Sequence, residues 1–306
     1  MSYNDLIPTN MGKMTSKIKH ALAQTSPSLK SVAKMLLQSR CTRPWPRRDA
    51  SRGDAIVVMG NGPSLAQTIA EHGETLTSMP TMAVNFAAIA PEFTRLRPRY
   101  YIMVDPLFFA PSANPNMQRL RRALADVDWD MVLIVPRGKV GALDPAITAN
   151  PHIHPVSINA VGLEGWQWLT HWAYSHRLGM PRPRNVLIPA IMAAAWLGYD
   201  TIYVAGADHS WMRTIAVDDH NNVISVQPHF YKDDAAEQKR VDTTYRGYRL
   251  HDIVHSFYVA FRSYHLLEAW ARRRHINIFN VTPGSYIDAF DRKNLDRNNG
   301  DNENNA

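Results

Sequence analysis

The chain has 306 residues, of which 45% are hydrophobic, and a formal net charge of +7. A chain of this length and composition can bury a substantial core, so we expect one large α/β domain or one domain with a smaller lid. Its single cysteine, Cys41, excludes an intramolecular disulfide and a cysteine-based zinc site.

Residues 1–50 are predicted to form a basic N-terminal extension and linker. Lysines alternate with apolar residues between positions 11 and 37, around Ser26-Pro27, as in one or two short amphipathic helices. Such a segment suits peripheral contact with an anionic inner membrane, or it is a docked or solvated extension. No nucleic-acid-binding motif accompanies the charge, so we expect no nucleic-acid partner. Without a long apolar run or a signal-peptide core, we expect a protein located in the cytoplasm.

Residues 51–290 are predicted to form the main domain, with helices on both faces of a mostly parallel sheet. Its predicted strands are 55–59, 81–86, 100–104, 131–135, 201–205 and 277–281, and helical patterns cover 185–198 and about 251–274. Each strand ends in a polar or glycine-containing turn, at the sheet edge where α/β proteins bind ligands. The polar residues 209–250 are predicted to form a lid, and residues 291–306 a disordered tail.

The first of these turns is the strongest single motif. A buried strand stops at Gly60, Asn61 and Gly62, and Pro63 and Ser64 then lead into a helix. Because a helix start presents N–H groups and partial positive charge, the turn predicts a phosphate site. The motif is neither G-x-G-x-x-G nor a P-loop, which argues against dinucleotide dehydrogenases and Walker ATPases. A β–α turn that binds nothing is the alternative interpretation.

Five segments in this order resemble the bacterial sialyltransferases of glycosyltransferase family 42 and the related domain-of-unknown-function 115 group. That group includes archaeal 6-hydroxymethylpterin pyrophosphokinases and flagellin glycosylation factors. The segments are GNGPSL at 60–65, MAVNF at 82–86, YYIMVDPLFF at 100–109, AAAWLGYDTIYVAGAD at 193–208 and NIFNVTPGSYIDAF at 277–290. The resemblance implies a Rossmann-like variant of the GT-A fold. It also implies an inverting, metal-independent transfer from a CMP-activated sialic or related ulosonic acid to a cell-surface glycan, such as lipopolysaccharide or capsule.

The same resemblance implies roles for individual residues. Asn61 and Ser64, within the turn from Gly60 to Ser64, would meet the nucleotide, and Asn85 the donor. Asp105 stands where those enzymes have asparagine. Asp208 matches a strand-end carboxylate that contacts a ribose hydroxyl or a structural N–H.

The general base of those enzymes is a lid histidine, and lid tyrosines hold the leaving phosphate. By position His255 is the best match for the base, and His251 lies one helical turn away from it. His209 and His229 are the other candidates, and Tyr231 is the candidate for the phosphate.

Two alternatives to this function stay open. One is a Mg²⁺-dependent pyrophosphokinase or other phosphoryl-transfer enzyme in which Asp105 and Asp208 together hold the ion. The other is a non-catalytic nucleotide-binding factor in glycan assembly. The leading interpretation requires no cofactor, because the CMP-sugar is itself the donor substrate. It requires no metal, because helix-start N–H groups and tyrosine hydroxyls can stabilise the leaving phosphate.

Overall fold

A computed structural model describes residues 22–40, 45–224 and 247–295. The predictions for residues 1–21, Cys41, the central part of the lid and the end of the tail lie outside these ranges. So do two of the candidate site residues, His229 and Tyr231.

The structure confirms the α/β class with a parallel sheet. Eight strands form one sheet: β1 Ala55–Met59, β2 Thr81–Val84, β3 Tyr100–Ile102, β4 Met131–Pro136, β5 Ile153–Ile158, β6 Thr201–Ala205, β9 Asn277–Asn280 and β10 Asp291–Arg292. Their order in the sheet is β10-β9-β6-β1-β2-β3-β4-β5, and every neighbouring pair is parallel. A separate antiparallel pair, β7 Ala216–Val217 and β8 Val223–Ile224, lies in the region predicted as a lid.

The two edge strands of the sheet, β5 and β10, were not predicted from the sequence. β5 contains Pro155 and only partly buried residues in its middle, because it pairs with β4 on one side alone. A proline is tolerated in such an edge strand, but its presence makes the segment difficult to recognise as a strand from the sequence. β10 is two residues long and falls within the region predicted as a disordered tail.

Helices cover both faces of the sheet, as predicted. They are α1 Thr25–Gln38, α2 Ser64–Ser78, α3 Phe93–Leu96, α4 Pro115–Ala125, α5 Pro145–Ala149, α6 Gln167–Ser175, α7 Leu187–Leu197 and α8 Leu250–Arg272. One apolar core contains α7 and the buried side of α8, and a second contains α2 and α4. None of the helices in the described ranges combines the length and apolar character that crossing a bilayer requires.

The central helix of one layer is α7. Eight consecutive residues from Leu187 to Ala194 are buried, and the helix contacts β1, β2 and β6. A helix that is apolar on all sides is one that the protein covers completely. Connections in a parallel sheet return each helix against the strand direction, so α7 begins at the edge of the sheet where the strands end.

Candidate functional site

The two halves of the sheet meet at β1. The chain runs from β1 outward to β5, and then returns to place β6 on the other side of β1. β1 and β6 pair from Ala55–Thr201 to Met59–Ala205, so the loops that follow them leave the same edge side by side. This reversal of strand order creates the crevice in which open α/β sheets bind ligands.

Glycines allow the two loops at this crevice to touch. The N–H of Gly60 donates to the carbonyl of Ala205, and the N–H of Gly62 donates to that of Gly206, both at 2.8 Å. A Cβ at Gly62 would overlap Asp208 Oδ2 and would lie 2.7 Å from the Gly206 carbonyl oxygen. The glycines are therefore needed for the close contact between the loops that follow β1 and β6.

Asp208 caps the start of α2. Its Oδ2 accepts from Ser64 Oγ at 2.7 Å, and its Oδ1 accepts from the Ser64 backbone N–H at 3.3 Å. A carboxylate is favoured at this position, because the N-terminus of a helix carries partial positive charge. Of the two partners expected for Asp208, the structure contains the structural N–H, and Ser64 directs both of its donors inward rather than to an open phosphate site.

Two asparagine side chains lie at the ends of β1 and β2. Asn61 Nδ2 donates to the Val84 carbonyl at 3.1 Å, which brings Asn61 beside Asn85. Asn85 has a φ of 50°, and its carbonyl accepts from the Tyr101 hydroxyl. Oδ1 of both asparagines is buried and has no hydrogen-bond partner among the described residues. The crevice thus presents two unused acceptors.

A third amide, that of Asn185, lies just before α7. Its Oδ1 accepts from the Leu187 backbone N–H at 3.0 Å and from the Tyr264 hydroxyl at 2.9 Å. These bonds fix the orientation of the amide, because Oδ1 must face the donors. Nδ2 is buried, and within the described part of the chain it has no acceptor. Asn185 therefore adds an unused donor.

His209, one of the predicted histidines, completes this group. Its Nε2 lies 2.7 Å from the Tyr264 hydroxyl, and its ring centroid lies 4.1 Å from that of Trp211. The hydroxyl of Tyr264 has one proton, which goes to Asn185, so Nε2 of His209 must be the donor to Tyr264. The lone pair of the imidazole is then on Nδ1.

Burial makes His209 a neutral histidine. The side chain is buried, and this loss of hydration lowers its pKa from 6.5 to about 3. Its backbone has a φ of 50°, an uncommon value for a residue other than glycine. The surrounding structure therefore holds the His209 backbone in a conformation that residues other than glycine rarely adopt. At pH 7 the Nδ1 atom of its ring is unprotonated.

His209 is expected to make the free energy of unfolding depend on pH. Between about pH 6.5 and pH 3 the unfolded chain binds a proton at this residue and the folded chain does not, so stability should fall as the pH is lowered. The slope from one such group is at most ~1.4 kcal/mol per pH unit. Urea titrations of the wild type and His209→Gln over this range should show a shallower slope in the variant. His255→Gln, at an exposed position, is the matched control variant. If the free energy of unfolding of His209→Gln depended on pH as steeply as that of the wild type, the buried imidazole would not be neutral.

The structure does not bring Asp105 to this crevice. Asp105 is exposed after β3, and its Oδ1 accepts from the Leu107 backbone N–H at 2.9 Å. β3 lies three strand spacings from β6, roughly 14 Å, so Asp105 and Asp208 are not arranged around one ion. Within the described ranges, no three His, Cys, Asp or Glu residues are grouped as metal ligands.

Nor does the structure place His251 and His255 at the crevice. Both are exposed on α8, and His251 Nε2 lies 3.4 Å from Asp252 Oδ1. His255 and Tyr264 are nine residues apart, two and a half helical turns, so they occupy opposite sides of α8. The shared face of the two histidines, predicted from their spacing, is the outer face of the helix.

Asn185 and Tyr264 were not among the site residues predicted from the sequence. An asparagine two residues before an apolar helix is a recognisable capping residue, so the capping role of Asn185 could have been predicted from the sequence. Tyr264 could not have been identified from the sequence, because it belongs to the apolar stripe of α8 and only its hydroxyl makes these hydrogen bonds. Its partners come from other parts of the chain.

No family model matches the chain, and no curated protein matches it. The chain is similar in structure to the MAf glycosyltransferase from Magnetospirillum magneticum AMB-1, with a TM-score of 0.47 and 11% sequence identity. The match covers 84% of this chain and 35% of that chain, so this chain spans about a third of the length of that protein.

Proposed function

We propose that this protein is an inverting, metal-independent glycosyltransferase that uses a CMP-activated sugar of the sialic or ulosonic acid type. One observation carries the proposal. Asn61, Asn85 and Asn185 have buried amide atoms without partners in the described structure, and these residues lie at the switch point of a parallel sheet. A buried polar group left unpaired costs about 1–3 kcal/mol, so a bound ligand that completes these bonds gains affinity.

The groups at the crevice recognise a ligand through hydrogen bonds rather than through charge pairing. The three amides are neutral, His209 is neutral, and the carboxylate of Asp208 is held by Ser64 at the start of α2. Oδ1 of Asn61 and Asn85 can accept from ribose or sugar hydroxyls, and Nδ2 of Asn185 can donate to a phosphate or base oxygen. A CMP-sugar has all of these groups.

The proposed transfer uses the lone pair of His209. The acceptor hydroxyl attacks the anomeric carbon from the face opposite CMP, the bond between that carbon and the phosphate oxygen breaks, and its electron pair stays on CMP. The hydroxyl proton passes to Nδ1 of His209. A bound phosphate would raise the pKa of His209 from its low value, because a nearby negative charge favours the imidazolium.

The Mg²⁺-dependent alternative receives no support from the position of its two carboxylates. It required Asp105 and Asp208 at one ion, and they follow strands that are three positions apart. A non-catalytic nucleotide-binding factor is compatible with the same crevice, so activity must separate it from the proposed enzyme.

The test is a donor assay on the full chain. Purified protein incubated with CMP-sialic acid is expected to release CMP, slowly to water and faster with a suitable glycan acceptor, with or without EDTA. His209→Gln should lower the rate by about 10²–10⁴-fold with donor affinity retained. Consumption of ATP that EDTA abolishes would favour phosphoryl transfer instead. Tight CMP binding without release from any CMP-sugar would favour the non-catalytic factor.

A further inference from the structure

The N-terminal helix α1 packs on the protein through serines. Ser31 Oγ donates to the Glu164 carbonyl at 2.7 Å and accepts from the Glu164 N–H at 2.9 Å. Ser28 Oγ accepts from the Trp166 N–H at 2.8 Å, and Ser39 Oγ donates to the Leu178 carbonyl. The inward face of this helix is therefore largely made of hydroxyl groups, although Met35 also reaches the core.

The leucines of α1 consequently face outward. Leu29 and Leu36 are seven residues apart, which places them on one side of the helix, and Leu36 is 72% exposed. Leu37 is exposed beside them, and Leu22 is exposed just before the helix. An amphipathic helix normally buries its apolar face against the core, so these side chains indicate a surface with another partner.

Two tryptophans extend this apolar surface. Trp168 and Trp172 lie one turn apart on α6, and Trp168 is 67% exposed. The bond from the Trp166 N–H to Ser28 places the start of α6 beside the first half of α1. We call the exposed side chains Leu29, Leu36, Leu37, Trp168 and Trp172 the leucine–tryptophan surface.

The charge of the neighbouring sequence indicates what covers this surface. Residues 11–40 contain no Asp or Glu, and their basic residues are Lys13, Lys17, Lys19, Lys30, Lys34 and Arg40. Lys30 and Arg40 are exposed, whereas Lys34 Nζ donates to the Gly162 carbonyl at 3.3 Å and is directed toward the protein. Each cation near an anionic bilayer contributes about 1 kcal/mol of attraction, and tryptophan is enriched at the membrane–water interface. Apolar side chains among cations are typical of helices that lie in the plane of a membrane.

We propose that the leucine–tryptophan surface binds the face of an anionic lipid bilayer, with the leucine and tryptophan side chains inserted at the level of the headgroups. This inference is independent of the proposed activity. The apolar face of the helix predicted from the sequence included Met35. In the structure Met35 instead packs inward against the core, so it is not part of the leucine–tryptophan surface.

The test is cosedimentation of the full chain with vesicles of phosphatidylcholine and phosphatidylglycerol at 3:1. We expect binding that weakens at 0.5 M salt and that falls at least tenfold in Leu29→Ser/Leu36→Ser. Trp168→Ala/Trp172→Ala should weaken binding in the same way. Val217→Ser is the matched control, because Val217 is an exposed apolar residue outside the surface. CMP binding should stay unchanged, and melting temperatures should fall by only a few degrees, since all these side chains are exposed.

Three results would overturn the proposal. In the first, both double variants bind vesicles as the wild type does. In the second, the wild type binds vesicles of phosphatidylcholine alone, which have no net charge, equally well. Sedimentation velocity without lipid could also show a dimer that the leucine variant converts to a monomer, which would assign the surface to a second copy of the chain.

Discussion

Replacing Asn185 with aspartate is expected to lower the affinity for CMP at least 100-fold, a loss of roughly 2.7 kcal/mol. The variant keeps the oxygen that accepts from Leu187 and Tyr264, and it replaces only the unpaired Nδ2. A carboxylate at this position removes the donor and places negative charge beside an anionic ligand. The start of α7 favours that charge, so we expect the variant to remain folded.

Asn114 provides the matched control for this experiment. It caps α4 through Oδ1, which accepts from the Asn116 N–H at 2.8 Å. Asn114→Asp therefore makes the same chemical change at a helix start outside the crevice. Calorimetric titration with CMP and thermal melting should be measured on both variants. Wild-type affinity in Asn185→Asp would remove Asn185 from the binding site.

Replacing Gly62 with alanine is expected to lower the free energy of unfolding by about 3 kcal/mol. The new Cβ would overlap Asp208 Oδ2 and press on the carbonyl of Gly206. Relief requires the β1 and β6 loops to separate or Asp208 to release Ser64, and either change weakens the packing at the switch point. Urea unfolding measures the loss directly.

Gly73→Ala is the control for this prediction, in α2, the helix that follows the same turn. A Cβ at Gly73 would have no atom within 4 Å, so alanine is expected to stabilise the protein by roughly 0.5–1 kcal/mol. The two substitutions should therefore have opposite signs. A Gly62→Ala protein as stable as the wild type would show that the two loops tolerate separation.

The sequence was sufficient to predict the α/β class, six strands of the sheet and the turn that follows β1. Apolar runs that end in glycine or polar residues predict strands that are buried on both faces. The continuous apolar segment of α7 predicts a helix that is covered on all sides. The positions of Asn61, Asn85, Asp208 and His209 after their strands could also be predicted, because parallel strands end at one edge.

The tertiary structure decided which of these residues meet. Asp208 contacts Ser64 across 144 residues, and Tyr264 contacts Asn185 across 79, because the strand order places β6 beside β1 and α8 beside α7. Strand order also separates Asp105 from Asp208. The rotation of each helix about its own axis places His255 on the outer side of α8 and directs the leucines of α1 away from the core. By itself the sequence determines which side of an element is apolar and where it ends. Partners across the fold depend on strand order and on helix rotation, which are set by packing between distant segments that local periodicity does not record.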